Sequence, residues 1–122
     1  MARGVHGEPD DGTIAPTAAA ASLPFAPELV MPTLRHWRQN RPEIWGPFGF
    51  ADAFNPTFDT SKPSGWIDAD TLGIDQGPIV LMLENQRSGF VWEVMRKNAH
   101  LRRGLTKAGF RGGWLTTERA GT

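Results

Sequence analysis

Three carboxylates stand where their surroundings would support chemistry: Asp52 in the run WGPFGFADAFNPTF, Asp75 in DADTLGIDQGP, and Glu84 in the apolar stretch that follows. Two carboxylates can share acid–base work, one giving a proton while the other takes one or attacks, as in the cleavage of a glycosidic bond. Asp75 and Glu84 are the catalytic candidates on one helix. Glu84 lies about two turns beyond Asp75, so the two meet at one substrate only in a deep cavity, and the catalytic role stays unassigned. Asp52 and Asn55 sit among Trp45, Phe48, Phe50, Phe54, Phe58 and Trp66. Rings stack on the apolar faces of pyranoses, and carboxylates or amides bind hydroxyls. The same aromatics would also pack a loop without any ligand, and the residues alone leave both readings open.

Other chemistries are weaker. Asp68 and Asp70 with Gly73 resemble the start of a calcium loop, but Leu72 and Ile79 occupy positions that need oxygen ligands, so no metal is expected. His36 stands among Arg35 and Arg38 with no carboxylate or second histidine beside it, which reads as a solvated face. The chain has no cysteine, which excludes disulfides and thiolate catalysis. Its 13 Lys plus Arg balance 13 Asp plus Glu, so no general pull toward nucleic acid is implied. The basic end around Arg96, Lys97, Arg102, Arg103 and Lys107 carries no nucleic-acid motif. No run is long enough for a membrane span, and MARGVHGEPDDG lacks the apolar centre of a signal peptide. No cofactor is expected.

The elements that must position these side chains read as helical. At 122 residues the chain is one domain at most. Residues 1–11 form a polar, disordered or loop-like N-terminus; Asp10 and Asp11 lie just before a helix, where aspartates serve as caps. Residues 13–23 predict a short helix capped by Thr13, with Ala18 to Ala21 as a small face for close helix approach. A second helix, about 27–40, starts at Pro27 and should kink at Pro32. Residues 41–74 are a long aromatic-rich connection, read as a folded lid, with FADAFN as a short helical or turn segment. Asp75 can cap a third helix over 76–95, with Pro78 in its first turn. Ile79 to Leu83 leave that helix no obvious water face, so it should be buried, with Glu84 and Arg87 as a buried ion pair beneath the site. Asn98 caps a last helix, 99–108, stopped by Gly109, and 116–122 is a flexible tail.

The stretch GWIDADTLGIDQGPIVLMLENQRSGFVW resembles the C-terminal signature of the bacterial glucoamylase-like family, which includes the endo-β-1,2-glucanases and a domain of cyclic β-1,2-glucan synthases. DDGTIAPTAAAASLPFAPE, WGPFGFADAFNPTF and LRRGLTKAGFRGGW resemble it in the same order. The family usually has Tyr where this chain has Thr71 and Gln86. The resemblance implies an all-α fold: part of an (α/α)6 barrel, about four helices with the long loop, residues 12–115 forming its C-terminal part. It further implies a glycoside hydrolase of exported or periplasmic setting acting on a β-glucan, β-1,2-linked by the resemblance. Asp52, Asn55, Trp66, Asp75 and Gln76 would then bind the glucan oligosaccharide or polysaccharide. The full catalytic pair would lie in the N-terminal part of the barrel, which becomes an expected partner, and the isolated chain is expected to be inactive. The alternative is a non-catalytic carbohydrate-binding remnant, or a helical interaction module that pairs with the rest of a split enzyme.

Overall fold

A computed structural model describes residues 11–58, 61–68 and 70–115. The segments read above as a loop N-terminus up to Asp10 and as a tail over 116–122 lie outside the described residues.

The protein is mostly helical. Helix α1 spans Pro16–Ala21 and α2 spans Pro27–Asn40. A 3-10 turn at Pro42–Ile44 leads into two hairpins: β1 (Trp45–Gly46) with β2 (Gly49–Phe50), then β3 (Ala53–Asn55) with β4 (Trp66–Asp68). Helices α3 (Gly73–Ser88), α4 (Phe90–Arg96) and α5 (Ala99–Lys107) follow. The expected all-α architecture is therefore corrected in the 41–74 connection, which folds as two antiparallel ribbons. FADAFN is a strand edge there, not a helical turn.

Long-range backbone bonding explains that departure. Ile14 exchanges both of its main-chain hydrogen bonds with Phe54, at 2.8 and 2.9 Å. This bridge holds 14 extended and 54 in a strand, although neither stretch has a strand-forming period. It also shortens the first helix: Ala15, not Thr13, precedes α1, and no side chain caps it. Helix α2 has the expected span and runs through Pro32.

The core is small. Ala20, Ile44, Phe50, Ala51 and Phe54 are buried together, with Ile14, Leu34, Trp37, Ile67 and Ile79 packed at the edge. Trp37 meets Phe54 edge-on at 5.7 Å and Phe50 at 6.4 Å, a geometry suited to ring quadrupoles. So α1, α2 and the hairpins surround one apolar centre, and α1 packs along α3.

The expected single buried helix over 76–95 is corrected in three ways. It starts earlier, at Gly73 after Leu72, so Asp75 lies in the first turn without a capping bond and Pro78 lies inside the helix. It breaks at Gly89, whose φ of +71° is left-handed and ends α3 before α4 begins. And it is not covered: Ile74 is 81% and Val80 66% exposed, and α4 and α5 bury no residue. The continuous apolar run asks for neighbours on every side, and among the described residues α1, α2, the β1–β2 hairpin and α4 leave much of it open. No helix among the described residues is long and apolar enough to cross a membrane.

Candidate functional site

Asp52 and Asp75 come together. Asp52 sits on the link between the two hairpins, with its N–H donating to the carbonyl of Asp70 at 3.2 Å. Asp75 projects from the first turn of α3, where the helix dipole favours a negative charge. The two carboxyls are within hydrogen-bonding reach of each other. Burial pushes the Asp52 carboxyl above the ordinary carboxylate range, and the hydrogen bond to Asp75, with repulsion from Asp75 and Asp68, pushes it further the same way. Asp75 Oδ2 is buried with no donor among the described residues. Two ionised carboxylates are both acceptors only, so the nearness of Asp75 favours the protonated form of Asp52.

The pair opens on a cleft of about 650 Å³ between α1 and the start of α3. Asp52, Asp68, Asp70 and Asp75 line its acidic side. Ala18 and Ala21 of α1 with Leu72 and Ile74 line the apolar side. The small face on α1 thus shapes the opening. Asp70 is held by its own N–H donating to Asp68 Oδ1 at 3.3 Å. No group of three or more metal-ligating side chains among the described residues is close enough to hold an ion. The arrangement offers several acceptors to a ligand rich in hydroxyl donors, and one carboxyl, Asp52, that holds its proton more tightly than an isolated carboxyl does.

The other candidates lie elsewhere. Asn55 is buried and fully engaged. Its amide nitrogen donates to the Asp11 carbonyl at 2.7 Å and to Thr13 Oγ1, while its oxygen accepts from the N–H and hydroxyl of Thr57 and the N–H of Phe58. It ties the segment around Asp11 and Thr13 to the turn after β3, and it does not line the cleft. Trp66 lies opposite Asn55 in the β3–β4 ribbon and does not line the cleft. Gln76 turns to the other side, donating to the Phe50 carbonyl at 2.9 Å and lining a second, apolar groove. Glu84 does not face Asp75. It pairs with Arg87 at 2.8 Å and with Ser88. Arg87 remains 74% exposed and Glu84 29%, which corrects the expectation of a buried pair. Arg87 and Ser88 hold the Glu84 carboxyl below its ordinary range.

Sequence reasoning missed Asp68 and Asp70 as parts of the cleft; their spacing suggested only a turn or a calcium loop. It also missed Asn85, which is buried and accepts from the Trp92 N–H at 2.9 Å. This bond staples α4 to α3 across the Gly89 break. Its only sequence signal is an amide four residues before a glycine.

Comparison with known proteins gives the family of the chain. Residues 1–99 match the family model described as "Putative glucoamylase". A curated relative, the exo β-1,2-glucooligosaccharide sophorohydrolase (non-reducing end) of Parabacteroides distasonis, is 35% identical over 99 residues, which is 80% of this chain and 13% of the relative. The solved endo-β-1,2-glucanase of Chitinophaga pinensis, in complex with sophorotriose and glucose, superposes with a TM-score of 0.69 at 39% identity, over 87% of this chain and 24% of that one. The β-1,2-glucanase structure from Parabacteroides distasonis superposes at 0.67 with 35% identity, over 80% of this chain and 13% of that one. The chain thus spans a quarter or less of each of these relatives. With three of the four quoted blocks, helices α1 to α4 and the acidic cleft falling inside residues 1–99, the chain belongs to the glucoamylase-like family.

Proposed function

We propose that this chain is a section of a glucoamylase-like α/α barrel that acts on a β-glucan, with β-1,2 linkage favoured, and that it supplies part of the substrate-binding wall without the full catalytic pair. The observation that supports this reading best is the Asp52–Asp75 pair opening with Asp68 and Asp70 on one cleft, in a chain related to β-1,2-glucan hydrolases. Such a wall binds glucosyl hydroxyls through its carboxylates. Asn55 and Gln76 act one step back, Asn55 fixing the β3 turn and Gln76 fixing the Phe50 carbonyl. Trp66 stiffens the β3–β4 ribbon opposite Asn55.

The isolated 122-residue chain should release no sugar from β-1,2-glucan, whereas the longer protein of which it is a section should release oligosaccharides. Failure of the longer protein to do so would remove the substrate assignment. Asp75→Ala in that longer protein separates two roles. A loss carried by KM marks a binding carboxylate, and a loss carried by kcat marks one that moves a proton.

A second reading, a helical module that pairs with the rest of a split enzyme, is favoured by the uncovered faces of α3 and α4. Association without any glucan binding in affinity electrophoresis would select it.

A further inference from the structure

Helix α2, the β1–β2 hairpin and α3 enclose a groove of about 380 Å³ that shares no residue with the acidic cleft. Leu34, Trp45, Phe50, Ile79 and Leu83 make its surface apolar. Arg35 and Arg38 stand along one side, both exposed on α2. Arg38 lies over the Trp45 ring, 5.2 Å from its centroid, which fixes the direction of one guanidinium. Neither arginine has a carboxylate partner among the described residues. Trp45 and Leu83 are each more than two-fifths exposed, so the apolar lining of the groove stays open to solvent. Contiguous apolar surface of this kind marks a contact site.

We propose that this groove seats one amphipathic helix from the part of the longer relatives that this chain does not span, with its apolar stripe on Trp45, Ile79 and Leu83 and an Asp or Glu against Arg35 and Arg38. The proposal rests on reading the chain as a section of a longer barrel. That reading supplies the occupant, because the match to the Chitinophaga pinensis enzyme covers only 24% of it. The charges choose the occupant's character. Two unpaired guanidiniums beside an apolar floor favour a partner with a carboxylate at the edge of its stripe. They also oppose a second copy of this chain, since a two-fold contact through the same patch brings the arginines of both copies together.

The test co-expresses the 122-residue chain with the unmatched remainder of the Chitinophaga pinensis enzyme and reads the remainder co-purified with the tagged chain. The wild-type chain should retain it. The double variant Arg35→Glu/Arg38→Glu should retain on the order of tenfold less, and Leu83→Asp likewise. Glu28→Gln, in the first turn of α2 outside the groove, should retain as much as wild type. All of these side chains are exposed, so unchanged circular dichroism is expected and shows that each variant folds. If the double variant and Leu83→Asp retain the remainder undiminished, the groove is not the seat, although the barrel reading survives. If the wild-type chain retains none, both fall. A wild-type chain that forms dimers alone, broken by the double variant, would overturn the choice of occupant in favour of a second copy.

Discussion

The hairpin half of this protein and its α3–α5 half use similar residues to opposite ends. In the first, Phe54 is 2% exposed, and Ile44, Phe50 and Ala53 are buried with it. In the second, Ile74, Val80, Leu83, Phe90 and Val94 face outward. Composition does not separate the halves. Closure does: the Ile14–Phe54 bridge and the Asn55 network tie the first half into a ring of contacts, whereas α4 and α5 lean mainly on the elements next to them in sequence, with Trp92 on Phe25 as a long-range ring contact. Apolar surface that a folded section leaves open shows where a larger body continues.

Substitutions can sharpen or break that contrast. The largest effect should come from Phe54→Ala, which empties the centre of the core and should cost about 3–5 kcal/mol in urea unfolding. Next is Asn55→Ala, which strands the Asp11 carbonyl and the Thr57 and Phe58 N–H groups, for about 2–3 kcal/mol. Gly65→Ala should resemble it, because φ is +72° there and a Cβ would run into the Asn55 carbonyl oxygen. Asn85→Ala should cost about 1–2 kcal/mol, with faster hydrogen exchange at the Trp92 amide and little change in the hairpins. Ile74→Ala and Val80→Ala should each fall within about 0.5 kcal/mol of wild type. A large loss from either would mean that α3 is covered in solution and would erase the contrast.

The smallest shift should come from Asp52→Asn. Burial and Asp75 raise the folded-state pKa of Asp52, so the folded protein holds this proton more tightly than the unfolded chain. Its contribution to stability is present below the unfolded value of about 4 and is lost as pH rises through the folded value. Asp52→Asn should therefore raise the melting temperature slightly at neutral pH, with the advantage disappearing near pH 4. An equal advantage at both pH values would sink the account of a raised Asp52 carboxyl.

Much of this was legible in local patterns. The span of α2 follows from Pro27 and its apolar stripe. The Asn98 cap accepts from the His100 and Leu101 N–H groups, and Gly109 follows α5 with φ +89°, as residue chemistry implies. The misses share one cause. Strands of two or three residues have no readable period and owe their existence to partners such as Ile14, 40 positions from Phe54. The helix break at Gly89 was hidden because apolar residues resume at the right spacing on its far side. In the site, the nearness of Asp52 to Asp75 could not be read from either run alone. Nor could the turn of Gln76 away from its neighbour Asp75, since adjacent helix positions point about 100° apart.

The Asn55 amide that donates to the Asp11 carbonyl spans 44 positions. Such a link is expensive to close before the chain between is ordered, since loop-closure entropy must be met first and non-local contacts slow folding. Helices α3 to α5 need no such wait. In refolding, helical circular dichroism should therefore appear early, and the burial of Trp37 beside Phe54 should report the later, rate-limiting closure.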